Sequence, residues 1–415
     1  KLTSQIKIEF EGKTYNTSGM APLLENTDRD YRKRASKAFY GEMLKNQPEI
    51  DRIYDELVKV RTEISSKLGY ATFTQLGYDR MGRTCYGPEE TAKYREFVLK
   101  YITPCAHELK KKIAKTLGIE KPYQYDGLLF PDGNPTPKTS PEQMIVDAQV
   151  MYNELSKETG EFFNMMQEKG MLDLLNRENK SPGGYCTYVD AVKSPFIFSN
   201  FNGTSHDVDV LTHEAGHAFQ CYCSMHFELG EYYFPTSESA EIHSMSMEFL
   251  SIEGWDVFYS DEDKKRAVES HLVGTITMLP WIALIDKFQH WIYTNPEHTN
   301  EARENKWEEL HKELSSEIID WTPYSDFRKT MWHKQLHIFE IPFYYIEYGI
   351  AQLGAIAVWR NFKNNKEQAL EAYKNALQLG YTKPIPEMYK SAGIQFDFSK
   401  EYVKELMTFL ETELD

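Results

Sequence analysis

The chain has 415 residues, 41% hydrophobic and 27% charged, a balance that belongs to a folded protein and excludes a disordered tail. Acidic side chains outnumber basic ones 63 to 47, and a net charge of −16 repels phosphate backbones and anionic lipid, so neither nucleic acid nor a membrane surface is an expected partner. Five cysteines without a CxxC pair argue against a disulfide framework or a thiolate zinc site, and for a reducing, cytoplasmic setting.

Alternation at Ile6, Ile8 and Phe10, then Glu11-Gly12 and Lys13-Thr14-Tyr15, predicts a short hairpin. From a cap at Thr27 the pattern becomes helical and runs through Asp51–Leu68, closing at Gly69. Pro88 opens another helix, which Pro104 kinks or breaks and Gly118 ends. The Pro/Gly-rich stretch 122–139 reads as a loop, and Ser140-Pro141-Glu142-Gln143 as a capping box for the next helix. A lobe boundary is expected here, separating a hairpin and helical lobe (1–139) from a lobe that carries the chemistry (140–415).

Ser181-Pro182-Gly183-Gly184 predicts a turn, followed by extended segments Tyr185–Val189 and Pro195–Phe201 and a helix from about Val208 to Phe227. Beyond Ser237 the pattern is helical, with interruptions at Pro280, Pro296, Pro323, Pro342, Pro384 and Pro386. The most apolar stretch, Leu272–Ile285, is too short to span a membrane and contains Pro280. The opening residues carry no charged-then-apolar leader pattern. The expected fold is mainly α-helical, with a small β-sheet beside the helix 208–227.

That helix contains His213-Glu214-Ala215-Gly216-His217, an HExxH pattern. Residues four apart share a helix face, so both imidazoles project toward one point. Zinc takes imidazole nitrogen readily and, in catalytic sites, keeps a fourth position for water, whose pKa it lowers toward roughly 7. Glu214, next to the first histidine, is placed to act as general base rather than as ligand. Val210, Leu211, Ala218 and Phe219 would bury that helix, a context that strengthens the motif; the competing reading is a helix with two core or surface histidines. A third ligand must come from elsewhere. The segment from Ser237 to Glu248 offers Glu238, Glu241 and Glu248; the last two share a face, and spacing alone does not choose among the three.

The stretch Ser194–Thr204 followed by Asp207–His217 resembles the oligoendopeptidase F and Pz-peptidase group of the thimet oligopeptidase family of zinc peptidases. Ala240-Glu241-Ile242 with Glu248 resembles its downstream glutamate motif, and Met331 to Tyr348 its C-terminal His/Tyr motif. The resemblance implies a mostly helical, two-lobed ellipsoid enclosing a substrate channel, with one Zn2+ per chain on His213, His217 and Glu241. It implies that His337, Tyr345 and Tyr348 donate hydrogen bonds to a tetrahedral oxyanion, the last two from a helix with Pro342 in its first turn. Spacing makes Glu248 the acceptor for the other nitrogen of a ligand histidine. The segment Pro195–Asn202 is expected to be an edge strand that pairs with a peptide backbone, with Phe196, Ile197, Phe198, Ser199, Asn200 and Gly203 as substrate-binding positions. Gly183-Gly184 would turn the chain close to the same cleft. Family members usually carry a further helical segment before the point that corresponds to Lys1.

These readings converge on a zinc-dependent, endo-acting oligopeptidase that cuts short peptides. A zinc carboxypeptidase or dipeptidyl carboxypeptidase is the alternative. It needs a fixed cation for the substrate's terminal carboxylate, and Arg328 and Lys334 lie near the C-terminal motif. A non-catalytic peptide-binding protein should lack a ligand or the base, yet His213, Glu214, His217 and Glu241 are all present.

Overall fold

The computed structural model describes residues 2–315 and 317–414. It is mainly helical, with a two-stranded and a three-stranded sheet among the described residues. The chain forms two compact units. One comprises Lys1–Glu25, Gly133–Leu272 and Ile350–Asp415, the other Asn26–Asp132 and Val273–Gly349. One boundary falls in the predicted 122–139 loop. Two others fall inside the continuous helices Asp261–Thr294 and Ile346–Asn364, so a single division after residue 139 does not describe the chain. Helical periodicity carries no mark of such a crossing.

In the first unit, β1 (Ile8–Phe10) and β2 (Lys13–Tyr15) form the predicted hairpin. Glu11 and Gly12 both take positive φ, 48° and 78°, the geometry a two-residue hairpin turn favours. The three-stranded sheet contains β3 (Leu172–Leu175), β4 (Tyr185–Val189) and β5 (Ser194–Phe201) in the order β3-β5-β4. β3 runs parallel to β5 and β4 antiparallel. The expected edge strand is therefore the centre of the sheet, its backbone engaged on both sides. The four residues of β3 are too few to show a period. The open edge nearest the chemistry is β4.

β4 and β5 pack on the helix His206–Ser224, which carries the HExxH pattern. Its start is fixed by Asp207, whose carboxylate accepts from the backbone N–H groups of Asn202 (2.9 Å) and Gly203 (2.7 Å). The helix Ser237–Ser251 packs along the HExxH helix. Gly216 permits this: a Cβ there would lie 2.5 Å from the Ser244 Cα and 2.9 Å from the Met247 Cβ.

In the second unit the long helix Arg29–Lys67 is capped by Asp28 rather than Thr27, the carboxylate accepting from the Asp30 and Tyr31 N–H groups. It continues through Pro48. Pro280 likewise sits inside Asp261–Thr294 without ending it, so the proline rule placed a break too many. That helix is long and apolar enough to cross a membrane by length and composition, contrary to the sequence expectation. Its apolar side chains are spent on the core: Leu279, Ile282, Ala283, Leu284, Ile285 and Phe288 are completely buried.

Candidate metal centre and catalytic groups

His213 and His217, one turn apart, hold their rings at 86° with centroids 4.9 Å apart. Glu241, on the adjacent helix, reaches between them. Its Oε2 is 3.2 Å from His213 Nε2 and 3.6 Å from His217 Nε2. The three donor atoms all lie within 4.8 Å of one another. His213 Nδ1 meets Glu248 Oε1 at 2.6 Å, which assigns the ring proton to Nδ1 and turns the Nε2 lone pair toward Glu241. At 3.2 Å, Nε2 and the Glu241 oxygen need a cation between them, either a proton on Nε2 or a metal ion that takes its place. Burial opposes a charged His213, but Glu241 and Glu248 outweigh it and hold its pKa well above the ordinary value. His217 is pushed the other way by burial, to about 4, and keeps a neutral nitrogen. Two imidazoles and a carboxylate fit a zinc site with one open position.

Glu214 is buried. Its Oε2 has no hydrogen-bond partner, and burial, helped by the charges of Glu241 and Glu248 against that of His213, raises its pKa to about 7. The chain passes Glu214 closely at the start of β4. A Cβ on Gly184 would lie 3.0 Å from Glu214 Oε1 and 3.4 Å from the Phe198 carbonyl oxygen. Gly183, at φ 95°, makes the turn. Asn200 holds it by donating to the carbonyls of Ser181 (2.8 Å) and Gly183 (2.9 Å). Asn200 and Gly203 are thus engaged within the protein, and Ile197 and Ser199 are buried in the sheet, while Phe196 and Phe198 are half-buried.

The C-terminal motif lies in the second unit. His337 Nε2 and the Tyr348 hydroxyl are 3.0 Å apart, and the rings of Tyr344 and Tyr345 flank His337 at 5.6 and 5.3 Å. Pro342 lies in a turn before the helix, which begins at Ile346, so Tyr345 precedes it and Tyr348 sits in its first turn. The turn is held at Phe343, a buried residue at φ 71° where a side chain is strained. Its N–H donates to Gln289 Oε1 (2.8 Å), its carbonyl accepts from Arg83, and Arg83 Nε donates to Glu347 Oε1 (2.8 Å). Burial pushes Tyr345 up to about 12, and its hydroxyl is hydrogen-bonded with Trp281 and Gln335.

Residues 22–408 match Peptidase family M3. The chain belongs to that family. This M3 chain is 41% identical to a solved structure of PZ peptidase A with inhibitor 2, with a TM-score of 0.96 over 100% of this chain and 74% of that one. It is 22% identical over 415 residues to an oligoendopeptidase F homolog of Mycoplasma pneumoniae, spanning 93% of this chain and 66% of that protein. It is 22% identical over 420 residues to oligopeptidase PepF of Bacillus subtilis, spanning 95% of this chain and 58% of that protein. The chain thus spans less than two thirds of the length of these two relatives.

Two groups of the M3 centre escaped the sequence reading. His271 places Nε2 3.6 Å from Glu248 Oε2 and Nδ1 3.5 Å from Asp209 Oδ1. These are ion-pair separations, longer than hydrogen bonds. Phe249 and Trp255 hold its ring edge-on at 5.0 and 5.6 Å. Asp209 precedes His213 by one helical turn, which the sequence could have shown. The approach of His271 is long-range, and no pattern marks it.

Proposed function

We propose that this M3 chain is a zinc-dependent, endo-acting oligopeptidase that hydrolyses internal bonds of short peptides. The observation that carries this is the convergence of His213, His217 and Glu241 beside a buried Glu214 that has one unpartnered oxygen. One Zn2+ per chain would be held by those three side chains and supply Lewis acidity at the carbonyl under attack. Glu248, hydrogen-bonded to His213 Nδ1, would leave Nε2 free to bind the ion.

Glu214 takes a proton from the attacking water as the new C–O bond forms, and gives it to the amine nitrogen as the C–N bond breaks. A carboxyl with a pKa of about 7 is balanced between those two tasks near neutral pH. His337, Tyr345 and Tyr348 are the proposed donors to the oxyanion. The unpaired edge of β4, which starts beside Glu214, offers backbone N–H and C=O groups to an extended peptide and selects peptides over other amides. Five free cysteines support a reducing, cytoplasmic setting.

The test is an internally quenched peptide blocked at both ends, assayed before and after chelation and after zinc is restored. Internal cleavage that chelation abolishes and zinc restores is expected. Cleavage only of peptides with a free carboxyl end would replace this reading with that of a carboxypeptidase, and cleavage indifferent to chelation would end the metal reading.

A further inference from the structure

One basic side chain of the second unit, Lys110, lines an aromatic cleft, and two more, Arg328 and Lys334, adjoin its walls. The cleft, about 130 Å³, is walled by Trp281, Leu284, His311, Leu314 and Trp321, with Lys110 in its lining. Arg328 Nε donates to His311 Nδ1 (3.0 Å), and its guanidinium lies 5.8 Å from the Trp321 ring. The Lys334 ammonium lies 5.4 Å from the Trp281 ring. The charges of Arg328, Lys110 and Lys334 all reach His311. Burial first, and then these three cations, lower its pKa to about 3, which fixes it as a neutral acceptor for Arg328.

In a chain with 63 acidic residues, such a group is expected to find carboxylates. Among the described residues none of the three forms an ion pair, and Glu308, whose charge acts on Arg328, is taken by Lys312 at 3.2 Å. Burial depresses the pKa of Lys110 and of Arg328, so both are cations held at a desolvation cost, Lys110 without an ion pair among the described residues and Arg328 with only the charge of Glu308, which Lys312 shares. A second feature points the same way. Trp321 is 8% exposed, and its indole N–H is buried without a hydrogen-bond partner. An unpaired N–H donor, unpaired cations and apolar walls together match one chemistry, a carboxylate carried on an apolar group.

We propose that this cleft binds the free carboxylate and apolar side chain of a short peptide's C-terminal residue. Arg328 and Lys110 meet the carboxylate, the Trp321 N–H is a further donor, and Trp281 and Leu284 contact the side chain. A cleft of about 130 Å³ suits one apolar side chain at a chain end. Trp281 is also hydrogen-bonded with Tyr345, which ties the cleft to the His/Tyr turn. Only the identification of the carboxylate's owner rests on the peptidase reading; the anion site stands on the second unit alone.

The experiment is isothermal titration of the zinc-loaded protein with N-acetyl-leucine, N-acetyl-leucinamide and inorganic phosphate, repeated on Arg328→Gln, Lys110→Gln and Lys334→Gln, with folding checked by circular dichroism. N-acetyl-leucine is expected to bind, the amide and phosphate at least about tenfold more weakly, with a loss of at least about tenfold in Arg328→Gln and in Lys110→Gln. If either of those variants fails to fold, exposed Lys334→Gln still reads the site, with an expected loss of about threefold. Equal binding of acid and amide, phosphate binding as tight as N-acetyl-leucine, no binding at all, or binding unchanged in every folded variant would each overturn the proposal. The last result places the carboxylate at the metal instead. None of these outcomes bears on whether blocked peptides are cut, so the two readings fail separately.

Discussion

Gly216 lies against Ser244 so closely that a Cβ at position 216 would be 2.5 Å from the Ser244 Cα. The contact brings the helix His206–Ser224 near enough to Ser237–Ser251 for Glu241 to reach both histidines. Gly216→Ala must separate the helices, because the obstructing atoms are backbone and Cβ, not the end of a flexible side chain. A destabilisation of about 1–3 kcal/mol is expected, with weakened zinc binding, read by thermal denaturation and metal analysis. Unchanged stability and full metal content would show that the helices have slack.

Gly184→Ala acts on the base instead. The added methyl meets the Glu214 carboxylate at 3.0 Å, the movable end of a side chain, so folding is expected to survive with little change. Displacing the base from its productive position should lower kcat by about tenfold to a hundredfold while zinc stays bound. A kcat within twofold of the parent would mean that Glu214 relaxes without cost.

His271 tests the support of the centre. Its two nitrogens face Glu248 and Asp209, so His271→Phe keeps an aromatic ring between Phe249 and Trp255 but leaves Glu248 with one neighbour fewer. Loss of a group that orients a ligand's partner typically costs 10- to 100-fold in metal affinity. Competition with a chromophoric chelator is expected to show a loss near the lower end, about tenfold, with His271→Gln less affected. Equal affinity in His271→Phe and the parent would remove His271 from the centre.

Buried neutral histidines set an acid limit. Burial lowers His290 to about 4 and His311 to about 3. Each therefore contributes stability that is fully present above the unfolded value of about 6.5 and is lost as pH falls toward the folded value, because only the unfolded chain takes up the proton. At pH 5 the loss is about 2 kcal/mol for each, an order-of-magnitude figure. Denaturation midpoints measured from pH 7.5 to 5 should fall, and His311→Gln should flatten that fall. A variant with the parent's slope would show that His311 does not contribute to it.

The pairing of His213 with His217 was legible because HExxH encodes a local geometry in which four residues make one helical turn, whereas spacing left Glu241 open beside Glu238 and Glu248 and only the family resemblance chose it. The hairpin was legible through Glu11-Gly12 for the same reason. What failed was non-local. The position of β5 between β3 and β4 depends on pairing with Leu172–Leu175, four residues with no readable period. Asp28 displaced Thr27 as cap by one residue, and the expected break at Pro280 gave way to tertiary packing that tolerates one lost hydrogen bond. Arg328 and Lys334 were singled out by sequence proximity to the His/Tyr motif, but only the fold brings Lys110 beside them.

The most direct measurement pairs metal content with hydrolysis of an end-blocked peptide in Glu214→Gln. The expected result is one zinc ion per chain, as in the parent, with kcat lower by about 10²–10⁴-fold. Rapid hydrolysis by the zinc-loaded variant, or loss of the ion along with the activity, would contradict Glu214 as the general base beside a centre formed by His213, His217 and Glu241.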